Sequence, residues 1–420
     1  MYKVIIIAIL LVSVKVSAQN SLAVESVDSI TYQCYLKGDW QRLILVGDSA
    51  IKQHIDFKFL RQRMGFAYFI KADYYKSLYQ YEKALKFDKT DINTRTYLYY
   101  CGLNTGNDIY TRYRGGQLPK EQQQSFGIKS FRIVNSVDVE YNYKMNDNVK
   151  RGNPSYLRGG INSELGYRLN LYQTGSTYVQ NNDSSSIRQN EYYALLNWTI
   201  SPHINWGIGY HYMNSKVLEK YSYNTYSDTY EPITVTDTLD LRLRGNMLFS
   251  KLTYTLNRFD FTLTGSVLTH DSAVLSGTIL KFDSIKLTQQ YGIHVGYSFP
   301  GKLNIYLKSS LYGLFETDNN KLLINKHLIF TQTAGLLFFK KLWVEGNVTL
   351  GYLKNYSDNN GLYIYNSLDP TKFRIGITTY WKIVPNISLF VNYTYDKKLI
   401  EKYNTNYNQH SLSSGIIWKL

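Results

Sequence analysis

Apolar and polar residues follow one rhythm in the first quarter of the chain and another in the rest. Up to about residue 110 the apolar positions recur every three to four residues, the signature of amphipathic helices. They predict a helix ending near Leu36, a second from Asp39 to about Gln53, and others through Ile92 to Leu103. From Phe131 onward the period drops to two. Phe373, Ile375, Ile377, Thr379, Trp381 and Ile383 fall on one face of a strand, with Lys372, Arg374, Gly376, Thr378, Tyr380 and Lys382 on the other. The next segment repeats the contrast, with Ile387, Leu389, Val391, Tyr393 and Tyr395 opposing Ser388, Phe390, Asn392, Thr394 and Asp396. Successive side chains point to opposite faces of a strand, so each such segment has an oily side and a wet side.

A β-sandwich would alternate as well, but three features favour a membrane barrel. Many segments run ten or more residues, long enough to cross a bilayer at a tilt. Aromatic residues sit at strand ends on the apolar face, among them Trp198, Trp206, Tyr212, Tyr352, Trp381, Tyr395 and Trp418, as in an interfacial girdle. The connections alternate in length. Short turns are expected at Gly166-Tyr167, Ser201-Pro202, Asn257-Arg258, Pro300-Gly301, Lys340 and Pro385, and polar loops at about 144–155, 181–189, 216–239, 271–284, 317–323, 355–370 and 397–406. Seven loops and six turns give fourteen strands, an even number that leaves both ends on the short-turn, periplasmic side. The segment 240–256 changes parity near Ser250, which suggests a bulge.

An internal repeat runs through the helical part. Asp39-Trp40 recurs as Asp73-Tyr74 and Ala50-Ile51 as Ala84-Leu85, each at a shift of 34 residues. Small Gly65 and Ala67 let a second helix approach, Tyr68 fills the groove between neighbours, and Tyr81 and Ala84 pack from the second helix. This period and these residues resemble the tetratricopeptide repeat (TPR), with Ser77 where the family has alanine and Lys89 where it has proline. The resemblance covers roughly residues 21–110 and implies a groove that binds a protein or peptide. A polar stretch with Gly115-Gly116, Pro119 and three glutamines follows. The fold class is therefore α+β multidomain: TPR-like helices over 19–110, a linker over 111–130, and an antiparallel transmembrane β-barrel of about fourteen strands over 131–420.

Composition fits this organisation. Aromatics make up 15% of residues, with 41 tyrosines against 5 methionines, and only 19% are charged. Mean hydropathy is slightly negative (−0.32), as in a barrel whose alternate residues face lipid. Lys3, the apolar run Val4–Val14 and Val16-Ser17-Ala18 read as a signal peptide over 1–18 cleaved before Gln19, for export in a Gram-negative-type envelope. The net charge of +15 is spread without a basic block, so no nucleic-acid partner is expected. Cys34 and Cys101 lie almost two repeat periods apart. Helices stacked about 9 Å apart per layer would hold them beyond disulfide reach, as two buried thiols.

The wet strand faces carry Arg132, Asp138, Glu140, Arg158, Glu164, Asp260, His294, Lys308, Glu345, Lys372 and Arg374, the candidate lining of a lumen of mixed charge. The last strand resembles the barrel-assembly signal of outer-membrane proteins, with Leu412, Ile416, Trp418 and Leu420 on its apolar face. That resemblance implies outer-membrane lipids and the barrel-assembly machinery as partners. No nucleophile–base–orienter set, metal-ligand spacing or phosphate loop emerges, so neither an enzyme nor a cofactor is expected. His410 and Ser411 point to opposite faces, and His203 and His211 point inward. In layout the chain loosely resembles exopolysaccharide-export proteins that join a periplasmic TPR array to a barrel. The expected function is a channel or exporter for polar solutes or saccharides, with a periplasmic partner bound by the repeats. The alternatives are a plugged barrel serving as an anchor or scaffold and, less favoured, a lipid-modifying enzyme.

Overall fold

The computed structural model describes residues 24–148, 151–226, 232–270, 287–299, 304–317, 322–339, 341–367 and 369–420. The expected signal segment lies outside them. The chain forms two compact units, Met1–Ile128 and Lys129–Leu420.

Seven helices make up the described part of the first unit: α1 Val24–Lys37, α2 Trp40–Lys52, α3 Lys58–Ile70, α4 Tyr74–Phe87, α5 Ile92–Thr105, α6 Asp108–Gly115 and α7 Lys120–Ser125. The starts of α1, α3 and α5 are 34 residues apart, as are those of α2, α4 and α6. The turns between paired helices keep the same spacing. Gly38, Ala72 and Gly106 adopt left-handed φ values of 71°, 58° and 67°. Just after them, the N–H groups of Asp39, Asp73 and Asn107 donate to the carbonyls of Cys34, Tyr68 and Gly102 at 2.9, 3.0 and 3.1 Å, closing each first helix in a Schellman-type turn. The same three side chains then cap the second helix, accepting from the N–H of Arg42, Lys76 and Tyr110 at 3.1, 3.3 and 3.0 Å. Each thus satisfies an amide that the first helical turn leaves unpaired. Among the described residues the repeat therefore occurs three times. The third copy escapes the sequence reading because Asn107-Asp108 lacks the aromatic residue of the first two.

The expected packing residues of the repeat meet one another. Ala67 and Ala84 are fully buried and Tyr81 nearly so, while Tyr68 is covered on most of its surface. A methyl group on Gly65 would stand 2.8 Å from the Tyr81 ring. Ser77, in the alanine position, donates to the Gly65 carbonyl at 2.8 Å and lies 3.3 Å from the Cys101 sulfur. Both cysteines are free and buried. Residues 111–130, expected as a linker, instead carry the end of α6 and all of α7. Arg114 pairs with Glu82 at 3.0 Å, and Phe126 stacks on Tyr99 with ring centroids 5.6 Å apart. These few packed side chains tie a stretch of loop-like composition to the helices.

The second unit is a closed antiparallel barrel. Its strands are β1 Phe131–Asn146, β2 Ser155–Leu165, β3 Leu169–Asn181, β4 Ser185–Ser201, β5 Ile204–Tyr226, β6 Pro232–Leu256, β7 Phe259–His270, β8 Leu287–Ser298, β9 Tyr306–Thr317, β10 Leu323–Phe338, β11 Leu342–Leu353, β14 Thr371–Val384, β15 Ile387–Ile400 and β16 Thr405–Lys419. Each pairs with the next, β11 pairs with β14, and β16 closes on β1 from Ser136↔Lys419 to Asn146↔Gln409. That makes the fourteen strands expected. Closure pairs the backbone all round, the condition for a β-structure to sit in lipid. The outer face is apolar, with Leu248, Ile293, Leu311, Ile377, Val391, Leu412, Ile416 and Trp418 among its exposed residues.

Several expected loops take another form. Within the loop expected over 216–239, residues 216–226 and 232–239 form a paired ribbon, because β5 and β6 stay in register from Ile204↔Tyr254 to Tyr226↔Pro232. The ribbon runs past its neighbours, since pairing with β4 stops at Glu219 and pairing with β7 at Gly245. The connection expected over 181–189 shrinks to residues 182–184. No bulge occurs near Ser250, where the pairing of β6 with both neighbours is continuous. Strands β12 (Tyr356–Asp358) and β13 (Tyr363–Tyr365) form a separate two-stranded sheet.

Replacing Gly65 by alanine is expected to destabilise the helical unit by about 1–3 kcal/mol through overpacking against Tyr81, read as a lower urea midpoint for proteolysis of that unit in the full chain. Burial pushes the Cys101 thiol from 9.0 up to about 12. It should therefore resist iodoacetamide at pH 8 in the native protein and react once urea unfolds it. The unfolded chain releases this proton near pH 9 and the folded one does not. The stability of the unit should then fall as pH rises from about 9 towards 12, and Cys101→Ala should flatten that fall.

Candidate functional site

The connection from β11 to β14, expected as an outside loop over 355–370, is a hairpin inside the barrel. Tyr356 pairs with Tyr365, Ser357 with Ile364 and Asp358 with Tyr363. Its tip is the sequence Asn359-Asn360-Gly361, with left-handed φ values of 47°, 60° and 83°. These residue types tolerate that conformation best. The Asp358 carboxylate accepts the Asn359 N–H at 2.7 Å and fixes the turn.

Side chains from across the ring hold the hairpin. The Gln290 amide of β8 grips Ser357, donating to its carbonyl and accepting its N–H, both at 2.9 Å. On β1, half the ring away, Glu140 accepts from the Tyr363 hydroxyl at 2.8 Å. A segment that reaches both strands must lie in the lumen. Tyr193 of β4 donates to the Asn360 carbonyl at 2.8 Å, and Nδ1 of His211 on β5 lies 2.8 Å from the Gly361 carbonyl. A carbonyl only accepts, so that nitrogen carries the proton. Glu316 of β9 accepts from the Asn355 amide at 2.8 Å.

Beyond the hairpin, Asp369 binds Arg151 at 2.7 and 3.0 Å and accepts from Tyr407 at 3.0 Å, and Lys398 donates to Ser367 at 3.0 Å.

Two apolar patches complete the seat. Leu362 joins Tyr193, Leu195, Met213, Met247, Phe249 and Leu268. Tyr356 joins Tyr312, Leu314, Ile329 and Leu353. These residues are buried on the inner side of the wall. Met247 and Phe249 produce the parity change near Ser250: the strand stays in register, but its inner face turns apolar where the hairpin rests.

The expected lumen residues fall into distinct places. Asp138, Glu140 and Arg158 come together, with Arg158 2.9 Å from Asp138 and 2.8 Å from Glu140. Tyr172 accepts from Arg158 and donates to Asp138 at 3.1 Å. Arg374 forms a two-point pair with Asp396 at 2.6 and 2.7 Å and lies 4.6 Å from the Tyr365 ring centroid. His294 sits between Ser310 at 2.9 Å and Thr264 at 3.1 Å. Asp260 accepts from Thr255 at 2.6 Å, and Glu345 lies 3.4 Å from the Trp343 ring nitrogen. Arg132 and Glu164 are opposite one another in register, and Arg132 donates to Asn135. Lys308 is half-buried on β9.

The pairing of β14 with β15 shifts between Thr371 and Phe373, which leaves Lys372 unpaired and exposed and Thr371 buried. His211, Gln290, Glu316 and Asp396 were not among the expected site residues. Their inward parity was the available signal.

Below the hairpin tip, toward the short-turn end, is a cavity of about 270 Å³ lined by Asp138, Glu140, Arg158, Tyr172, Tyr193, Leu195, Tyr363, Tyr380, Phe390 and Ile417, with Asn359, Asn360 and Leu362 from the hairpin. Among the described residues no group of three or more His, Cys, Asp or Glu is placed to hold a metal ion.

No protein-family model matches the chain, and no curated protein matches it. Solved structures do. The CymD monoaromatic hydrocarbon channel matches with a TM-score of 0.42 and 8% identity over 75% of this chain and 93% of that one. The Pseudomonas putida toluene transporter TodX matches with a TM-score of 0.43 and 6% identity over 70% and 90%. A bacterial polysaccharide outer membrane secretin matches with a TM-score of 0.38 and 9% identity over 69% and 100%. These likenesses are distant, and the cargoes named for those proteins are theirs alone.

Asp396→Ala should leave the Arg374 guanidinium buried without its partner, at a cost of about 3–5 kcal/mol. The expected result is a lower temperature at which the barrel loses its folded mobility on unheated gels, with Arg374→Met in the same background recovering part of the loss.

Proposed function

We propose that this protein is an outer-membrane channel for small solutes, with a passage set by the hairpin over 356–365. The observation that carries the reading is the hairpin's place in the lumen, held by polar side chains on opposite walls. An outer wall of exposed apolar residues suits lipid, and a polar lining around a constriction suits graded passage. In this reading the last strand, with Leu412, Ile416, Trp418 and Leu420 outward, is the surface that the barrel-assembly machinery engages.

The helical unit would lie in the periplasm, because an even strand number returns both ends of the barrel to the short-turn side. Its three helix pairs at a period of 34 residues support a TPR-type module, and such a module would bind a protein or peptide.

Planar-bilayer recording tests the channel. The full chain should give discrete conductance steps, and replacing residues 356–365 by a short Gly/Ser linker should raise the unit conductance several-fold. Silence from both proteins would favour the plugged-anchor reading instead.

A further inference from the structure

The cavity under the hairpin has a chemical bias that the channel reading does not require. Its ionisable lining consists of two carboxylates, Asp138 and Glu140, and one guanidinium, Arg158. Arg158 is committed to both carboxylates, so it offers little to an incoming anion, and the group as a whole is left one negative charge in excess.

Glu140 is only 5% exposed. Its hydrogen bonds from Arg158 Nε (3.0 Å), Arg158 Nη2 (2.8 Å) and Tyr363 Oη (2.8 Å) all end on Oε2. Its Oε1 accepts none among the described residues. That second oxygen keeps its acceptor capacity for a donor or cation that enters the site.

The rest of the wall is aromatic: Tyr172, Tyr193, Tyr363, Tyr380 and Phe390, with Leu195 and Ile417 beside them. The faces of such rings carry negative charge density and attract cations, most strongly where water is excluded. A volume of about 270 Å³ lies just under the range of roughly 300–1,000 Å³ usual for drug-sized ligands. That leaves room for one ring or a short chain.

We propose that this cavity binds a small organic cation, an ammonium group carried on an aromatic or apolar body, with Glu140 as its counter-ion and the tyrosine and phenylalanine rings as its walls. The hairpin roofs the site, so an occupant would sit on the solute pathway just below the constriction. The proposal takes its physiological setting from the channel reading. Binding can nevertheless be measured without a membrane, so a barrel that fails to conduct and a cavity that fails to bind are separate results.

The test is calorimetric titration of the full-length protein in detergent with benzyltrimethylammonium, benzyl alcohol and benzoate. The cation should bind once per barrel and at least tenfold more tightly than the neutral alcohol, and benzoate should not bind detectably. Glu140→Gln should weaken the cation about tenfold and leave the alcohol unchanged, whereas Phe390→Ala should weaken both. Glu140→Gln also alters the contact with Tyr363, so Tyr363→Phe serves as the control: it removes the same hydrogen bond and should keep the preference for the cation. The proposal is overturned if the folded protein does not bind the cation, if benzoate binds as well, or if Glu140→Gln leaves cation affinity intact.

Discussion

A ring of fourteen strands encloses more space than its own inward side chains can fill, unlike a ring of eight. That constraint governs the second half of this chain. Its outer face has one solution, a continuous apolar surface. Its inner face needs either water or protein inside, and here the chain supplies the protein, turning the β11–β14 connection inward. Polar hydrogen bonds position that segment from opposite walls, and two apolar patches cover its sides. The wall therefore departs from a simple oil-outside, polar-inside pattern where Met247, Phe249, Leu314 and Ile329 meet the hairpin.

The arrangement ties the cavity to the constriction. Glu140 takes part in both, holding Tyr363 of the hairpin through one carboxylate oxygen and leaving the other without a partner among the described residues. Tyr193 does the same, bonding the hairpin tip while its ring walls the cavity. The cavity and the seat of the hairpin therefore share side chains. The bond from His211 to Gly361 and the grip of Gln290 on Ser357 add fixed points on the other strands and limit how far the tip can move.

The helical unit solves a smaller packing problem three times. A left-handed residue ends one helix, and the next residue caps the following one with its side chain. In the second pair the bulky Tyr81 packs against the small Gly65. Regular turn geometry makes successive pairs alike, so one pattern of apolar positions can bury itself along the whole unit.

Several of these features were legible in the residues alone. The change from a helical period to a period of two, the strand number and the outward position of the aromatic and aliphatic residues all follow from local rules, because a side chain's face is set by backbone geometry. The 34-residue shift was visible wherever Asp-Trp and Asp-Tyr marked it, and was lost at Asn107, where the capping chemistry persists without the aromatic. The inside of the barrel was another matter. Residues 355–370 are polar and turn-rich, as an outside loop would be, and nothing in their local sequence says which way they bend. The choice depends on partners far away in the chain, such as Glu140, His211, Gln290 and Glu316, which closure of the ring brings around one volume. The same holds for the cavity and for the register shift that leaves Lys372 unpaired and exposed. Local pattern determined which residues face in or out, while only the closed ring decided what they face.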